Sequence, residues 1–247
     1  RFILWISASS RSRKNNLMEL NSKYPKIQTL YKRDNNGKIV VGEYSMPEFE
    51  TVKAWRVEEK IDGTDIRIGY HDGKISIKGR TDKADLYSLL GMRGMRMLGD
   101  VANGIIDTLI SLGLENESLT FYGEAFGGKV QPKVGQLYAP DEIRFCLFDV
   151  YQSRQGWWDI WSLEAFIQTC WDDHDIHDIW SPPTVGLPVR EPMQIDEIVK
   201  TVKSKPCSRI SDLPQTIEGI IARPLDAMVY NPRGERVMFK LKVKDFN

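Results

Sequence analysis

Glu59-Lys60-Ile61-Asp62-Gly63-Thr64-Asp65 is the stretch on which the reading of this 247-residue chain turns. Runs of alternating apolar residues flank it, at 55–59 and 65–70, and a third run at 74–78 follows across His71-Asp72-Gly73, a strong hairpin signal. The local expectation is an antiparallel meander with a lysine beside one of its turns. Taken alone, Lys-x-Asp-Gly is short enough to arise by chance in a surface hairpin.

Outward from the lysine, residues 86–114 carry Met97, Val101, Ile105 and Leu109 at helical spacing and end near Gly113, which predicts a helix of several turns. Strands are expected at 119–124 and 144–151, and a helix over 162–171 with Ser162 as its N-cap. Residues 172–192 read as loop, and 194–204 as helix. Strands at 219–223, 227–230 and 236–243 surround the turn Asn231-Pro232-Arg233-Gly234. The fold class is α+β, antiparallel sheets flanked by helices. Residues 1–50, with breaks at Pro25, Gly37 and Pro47, read as a lead-in segment, the end of or link to an accessory module. The main domain is placed at 51–247.

Lysine plus arginine equal aspartate plus glutamate at 34 each, so no global positive field marks a nucleic-acid partner and any polyanion must meet a local patch. The three cysteines, Cys146, Cys170 and Cys207, are far apart and form no Cys-x-x-Cys pair, which argues against a zinc site or a disulfide framework. The apolar run at 2–6 is too short to cross a bilayer. The expectation is a soluble, intracellular, monomeric protein without a membrane partner. The chain opens on Arg1 instead of Met, so a fragment of a longer protein is also expected.

The weight of Lys60 comes from segments that follow it in order: Gly79-Arg80-Thr81; Phe121-Tyr122-Gly123-Glu124 with Ala125-Phe126-Gly127-Gly128; Phe145-Cys146-Leu147-Phe148-Asp149-Val150-Tyr151; Ile217-Glu218-Gly219-Ile220-Ile221-Ala222-Arg223; and Phe239-Lys240-Leu241-Lys242. Together, from about Trp55 to Lys242, they resemble the collinear motifs of the covalent nucleotidyltransferases, the ligase and mRNA-capping superfamily. Their spelling and spacing are similar to the nick-sealing RNA ligase 2-like family. The resemblance implies an ATP-dependent RNA ligase that adenylylates Lys60, passes AMP to a 5′-phosphate RNA end and seals it to a 3′-hydroxyl, as at a nicked duplex. It implies ATP as AMP donor and Mg2+ or Mn2+ as cofactors.

The chemistry accounts for the residue types. An attacking amine must be unprotonated, whereas a free lysine at neutral pH is ammonium. Neighbouring cations, here Lys240, Lys242 and a divalent metal, disfavour the proton. Lys240 and Lys242 alternate along one strand, share a face and suit an electrostatic clamp on the α-phosphate. By resemblance, Glu59, Ile61, Arg80, Glu124, Phe148 and Glu218 join the lysines in binding the nucleotide, with Phe148 stacked on adenine. Glu124 is matched to metal or to the ribose hydroxyls, and Asp62 and Glu218 to metal. One departure is Asp65, where the family often has Asn. Another is that Asn247 follows Lys242 by five residues, so a C-terminal OB-fold or helical module is expected to have been removed, or an accessory module to lie N-terminal.

Other classes stay open at this point. A DNA ligase shares the chemistry, a capping guanylyltransferase would use GTP, and a catalytically silent nucleic-acid-binding module would keep only the fold. His174 and His177 among aspartates have ligand-like spacing on a helix, or belong to an acidic loop. Trp157, Trp158 and Trp161 suit base stacking or packing, and Arg11, Arg13, Lys14, Lys129 and Lys133 a phosphate-binding surface. No Gly-x-x-x-x-Gly-Lys-Ser/Thr loop is present, so phosphate handling by a P-loop is excluded, and Gly91-Met92-Arg93-Gly94 lacks the context of a dinucleotide fingerprint.

Overall fold

The computed structural model describes residues 20–131, 133–174, 176–185, 193–225 and 227–246. The apolar run at 2–6 and the cations Arg11, Arg13 and Lys14 lie outside the described residues.

In chain order the strands and helices are β1 (Gln28–Thr29), β2 (Tyr31–Arg33), β3 (Ile39–Tyr44), β4 (Trp55–Glu59), β5 (Thr64–His71), β6 (Lys74–Gly79), α1 (Leu86–Ser111) and β7 (Ser118–Phe126). These are followed by α2 (Gly135–Tyr138), β8 (Arg144–Gln152), β9 (Gly156–Trp157), α3 (Ile160–His174), β10 (Ile179–Trp180), α4 (Ile195–Lys203), β11 (Gly219–Pro224) and β12 (Phe239–Lys242).

Two sheets organise the molecule. The first runs β1-β12-β11-β4, and the second β10-β8-β7-β5-β6 with β9 on β8. The expected meander is present: β5 pairs antiparallel with both β6 and β7. One face of the second sheet is closed by α1 and α3, whose Leu98, Val101, Ile105 and Phe166 join Ile66, Phe121 and Leu147 in the largest core. The first sheet builds a separate core, in which Trp55, Phe239 and Leu241 meet Ile198 and Val202 of α4. Each sheet thus has its own apolar packing on one face, as layered α+β architecture requires.

Several elements depart from the sequence expectation. The long helix is kinked at Gly91 (φ 64°), a left-handed backbone conformation that glycine adopts without a Cβ clash. The helix α3 starts at Ile160, because the Asp159 carboxylate accepts the Ser162 N–H at 2.7 Å, making Asp159 the capping side chain in place of Ser162. That helix continues to His174, and β10 pairs in parallel with β8, so helix and strand take up part of the stretch expected as loop. The strand expected at 227–230 reduces to an isolated bridge, Tyr230 to Arg236, around a turn whose Asn231 Oδ1 accepts the N–H groups of Arg233 and Glu235.

Residues 21–50 are woven into the fold. β1 adds to the first sheet in parallel, with Thr29 opposite Lys240, and Leu30 and Phe49 are fully buried in its core. Asn21 is clamped by the buried guanidinium of Arg67, which donates to the Asn21 carbonyl at 2.6 Å and to the Gly79 carbonyl at 2.9 Å.

Candidate nucleotide-binding site

Between the two sheets lies a cleft of about 610 Å³, lined by Glu59, Lys60, Ile61, Arg80, Glu124, Phe148 and Lys240 among others. The volume suits a nucleotide-sized ligand. Those seven residues, spread over nearly two hundred positions of the sequence, are among the ones the sequence put forward; Asp62, Glu218 and Lys242, also put forward, are not part of the lining.

Lys60 leaves the end of β4 with its backbone N–H on the Gly219 carbonyl (2.9 Å). Its ammonium group pairs with Glu218, and Lys242 pairs with the other oxygen of the same carboxylate. Strand order explains the convergence: β11 runs between β4 and β12, so the two lysines reach Glu218 from either side. Burial pushes the Glu218 carboxyl up, but the charge of Lys60 and the hydrogen bonds from both lysines outweigh it, leaving the group below its usual range. Lys240 shares the Lys242 face of β12 and lines the cleft. Burial, then the charges of Lys242 and Lys60, favour loss of its proton.

The Asp-Gly after the lysine has a steric reason. A Cβ on Gly63 would run into the Ala125 carbonyl and stand 2.9 Å from Glu124 Cγ. Ile61 is buried against Phe126 and Tyr138, and the Tyr138 hydroxyl accepts the Asp62 N–H at 3.2 Å, so the turn is held on both sides.

Carboxyls gather on the second sheet's side. Asp65 lies directly opposite Glu124 in the β5–β7 register. Burial pushes Glu124 up to about 8, with the charges of Asp65 and Glu218 adding to the rise and Lys60 opposing it. Burial also raises Asp65 and Glu59. Glu59 Oε2 accepts the Arg209 N–H at 3.1 Å, while Glu59 Oε1 and Asp65 Oδ1 are buried with no hydrogen-bond partner. Buried acceptors without donors are rare in folded proteins and fit a site that receives a cation or a donor-bearing ligand. The expected metal residues Asp62, Glu124 and Glu218 do not close on a single point: among the described residues no group of three His, Cys, Asp or Glu side chains could hold a metal by itself. A magnesium ion commonly takes one or two carboxylates plus ligand phosphates, so Glu124 and Asp62 remain suitable donors of that kind.

Phe148 reaches the cleft through a β-bulge. The β7–β8 register passes from Tyr122 opposite Asp149 to Gly123 opposite Leu147, leaving Phe148 unmatched. Phe145, Leu147 and Val150 face the core, so the two-residue alternation lengthens by one at Phe148.

The sequence did not point to Lys23, Tyr24, Lys26 or Gln131 as cleft residues. The signal is absent from Lys23-Tyr24-Pro25-Lys26 because only the β1–β12 pairing carries that segment to the site. Arg223, within the fourth motif segment, also lines the cleft. Two of the rival tryptophans are taken up in aromatic packing. Trp157 packs on Tyr24, Tyr122 and Tyr151, and Trp158 on Phe121 and Phe166. Trp161 is exposed, and His174 contacts Ser111.

A lysine on one sheet facing an aromatic on the other, with two further lysines beside it, is the arrangement of a nucleotidyltransferase of the ligase type. The family model described as RNA ligase matches residues 53–242, and the chain belongs to that family. Among solved structures it is similar to Naegleria gruberi RNA ligase. A mutant of that protein with AMP and Mn is 18% identical at a TM-score of 0.56, covering 94% of this chain and 61% of that one. The same ligase with pyrophosphate is 18% identical at 0.55, covering 96% and 62%. A further mutant with ATP and Mn is 17% identical at 0.54, covering 90% and 63%. At such identity the likeness establishes the fold, and this chain spans about three fifths of the length of those chains. No curated protein matches.

Proposed function

We propose that this chain carries the nucleotidyltransferase centre of an ATP-dependent RNA ligase and forms a lysyl-AMP intermediate on Lys60. The observation that carries the reading is the placement of Lys60 in the cleft, across from Phe148 and beside Lys240 and Lys242. With adenine stacked on Phe148, the triphosphate extends toward the lysines. The neutral Nζ of Lys60 attacks the α-phosphorus, the bond to the β-phosphate oxygen breaks, and pyrophosphate leaves while Lys240 and Lys242 meet the developing charge. Next, a 5′-phosphate oxygen displaces Lys60 from the AMP phosphorus, breaking the P–N bond. A 3′-hydroxyl then attacks the activated 5′-phosphorus and AMP departs. Mg2+ or Mn2+, when bound, neutralises phosphate charge, with Glu124 and Asp62 as its carboxylate donors.

Residues 28–50, built into the first sheet and its core, belong to the same catalytic unit in this reading. Among the described residues no helix is long and apolar enough to cross a membrane, and the three cysteines are free, which suits an intracellular setting.

The test is transfer of label from α-labelled ATP to protein. Wild type becomes labelled and Lys60→Ala does not; a labelled Lys60→Ala removes the nucleophile assignment. Nicks sealed better with a 3′-terminal ribonucleotide than with a deoxyribonucleotide support RNA as the substrate, and equal sealing points to a DNA ligase.

A further inference from the structure

The nucleophile and the aromatic platform belong to different sheets, Lys60 following β4 of the first and Phe148 lying on β8 of the second. Their separation across the cleft has to be held by something that spans both. Arg223 of β11 does so. Its Nη2 donates to Glu58 Oε2 on β4 at 3.1 Å and to the backbone carbonyl of Phe148 on β8 at 3.2 Å. Its Nη1 stands 3.9 Å from Asp149 Oδ2.

The partners of Arg223 are fixed in turn. Glu58 is 1% exposed and takes Arg56 Nε at 2.9 Å on its other oxygen. Asp149, also 1% exposed, accepts Arg236 Nη1 at 2.8 Å and the Tyr24 hydroxyl at 2.7 Å. The Tyr24 ring packs edge-on against Phe148 with centroids 5.1 Å apart. Phe148 is the unmatched residue of the bulge, so its carbonyl has no residue opposite it on β7, and the guanidinium supplies the donor. A planar fork with several donors can serve two sheets at once, as a single-point ammonium cannot.

We propose that Arg223 is a positioning residue for the nucleobase: by gripping the bulge carbonyl of Phe148 from the first sheet, it sets where the stacked adenine sits relative to Lys60. The proposal rests on the reading of the cleft as the ATP site. Arg223 acts through Phe148 and touches no reacting atom. Its loss therefore weakens what the base contributes and leaves what the phosphates contribute.

The experiment measures lysyl-AMP formation, and its base-free analogue, in wild type, Arg223→Lys, Phe148→Ala and the double variant, with ATP and with ribose 5′-triphosphate. Arg223→Lys is expected to raise KM for ATP about tenfold, in the range of a base–aromatic stack, and to leave KM for ribose 5′-triphosphate within about twofold. In the Phe148→Ala background, Arg223→Lys adds nothing further to KM for ATP. Arg223→Gln, whose amide ends at the position of the arginine Nε and falls short of the Phe148 carbonyl, is expected to lose the ATP preference in the same way and serves as the second variant if Arg223→Lys does not fold. Equal damage to both substrates, or effects of the two substitutions that multiply, overturns the positioning role while leaving the site reading intact. A wild-type protein that takes no label from ATP overturns the site reading, and the positioning role with it.

Discussion

Lys60 and Glu218 are ion-paired across adjacent segments of the first sheet, and the second oxygen of Glu218 is taken by Lys242. The proposed nucleophile is therefore held beside a carboxylate and a second cation before any nucleotide arrives, and in the proposed reaction it exchanges that carboxylate for a phosphate before it attacks.

Substituting Glu218 by alanine leaves both ammonium groups without their shared counter-charge and frees the Lys60 side chain to wander. Initial rates of label transfer from α-labelled ATP are expected to fall about 10²-fold, comparable with the loss of one preorganised electrostatic partner. An undiminished rate would mean that the ion pair is only a resting contact.

Lys240 and Lys242 face the same way from β12, yet only Lys242 has Glu218 as a salt-bridge partner among the described residues. Alanine at either position is expected to slow lysyl-AMP formation by about 10²- to 10³-fold, measured under single-turnover conditions. Arginine is not expected to restore Lys240, because its fork cannot replace a compact point charge in a partly buried site. Full activity in Lys240→Arg contradicts the clamp role.

Gly63→Ala puts a methyl group into the Ala125 carbonyl and Glu124 Cγ. The backbone on one side belongs to a central strand and cannot retreat cheaply. A loss of about 1–3 kcal/mol in denaturant unfolding is expected, together with weaker nucleotide binding as Glu124 is displaced. A variant with the stability and nucleotide affinity of wild type would show that the turn is looser than the packing implies.

Thiol reactivity should separate the cysteines. Cys207 is exposed, whereas Cys146 and Cys170 are buried. Burial pushes the Cys170 thiol up to about 11 and raises that of Cys146 as well. At neutral pH a thiolate-specific reagent is expected to modify Cys207 rapidly and the other two only on unfolding, read by mass spectrometry. Fast modification of Cys146, which lines the cleft, would indicate that the cleft opens more widely.

The strands that carry the proposed catalytic lysines were legible because their signals are local. Alternation around 55–78 follows from the two-residue period of a strand, and Gly63 and Gly73 fall where turns need them. Phe148 was recognisable by motif, but the bulge that turns it out of the core appears only when Phe145, Leu147 and Val150 are seen to share one core. The capping of α3 by Asp159 instead of Ser162 reflects a boundary two residues earlier than the apolar pattern suggests.

By itself, the sequence determined the α+β class, the order of the motif segments and the choice of Lys60 as the proposed nucleophile, since each depends on residue type and short-range spacing. The tertiary structure alone decided that β1 pairs in parallel with β12, and that Lys23 and Lys26 line the cleft. It also decided that Arg223 reaches from one sheet to the other. These features depend on pairings such as Thr29 with Lys240 and on buried ion pairs between distant strands. Such contacts join segments far apart in sequence where the two sheets meet, and they leave no periodic trace along the chain.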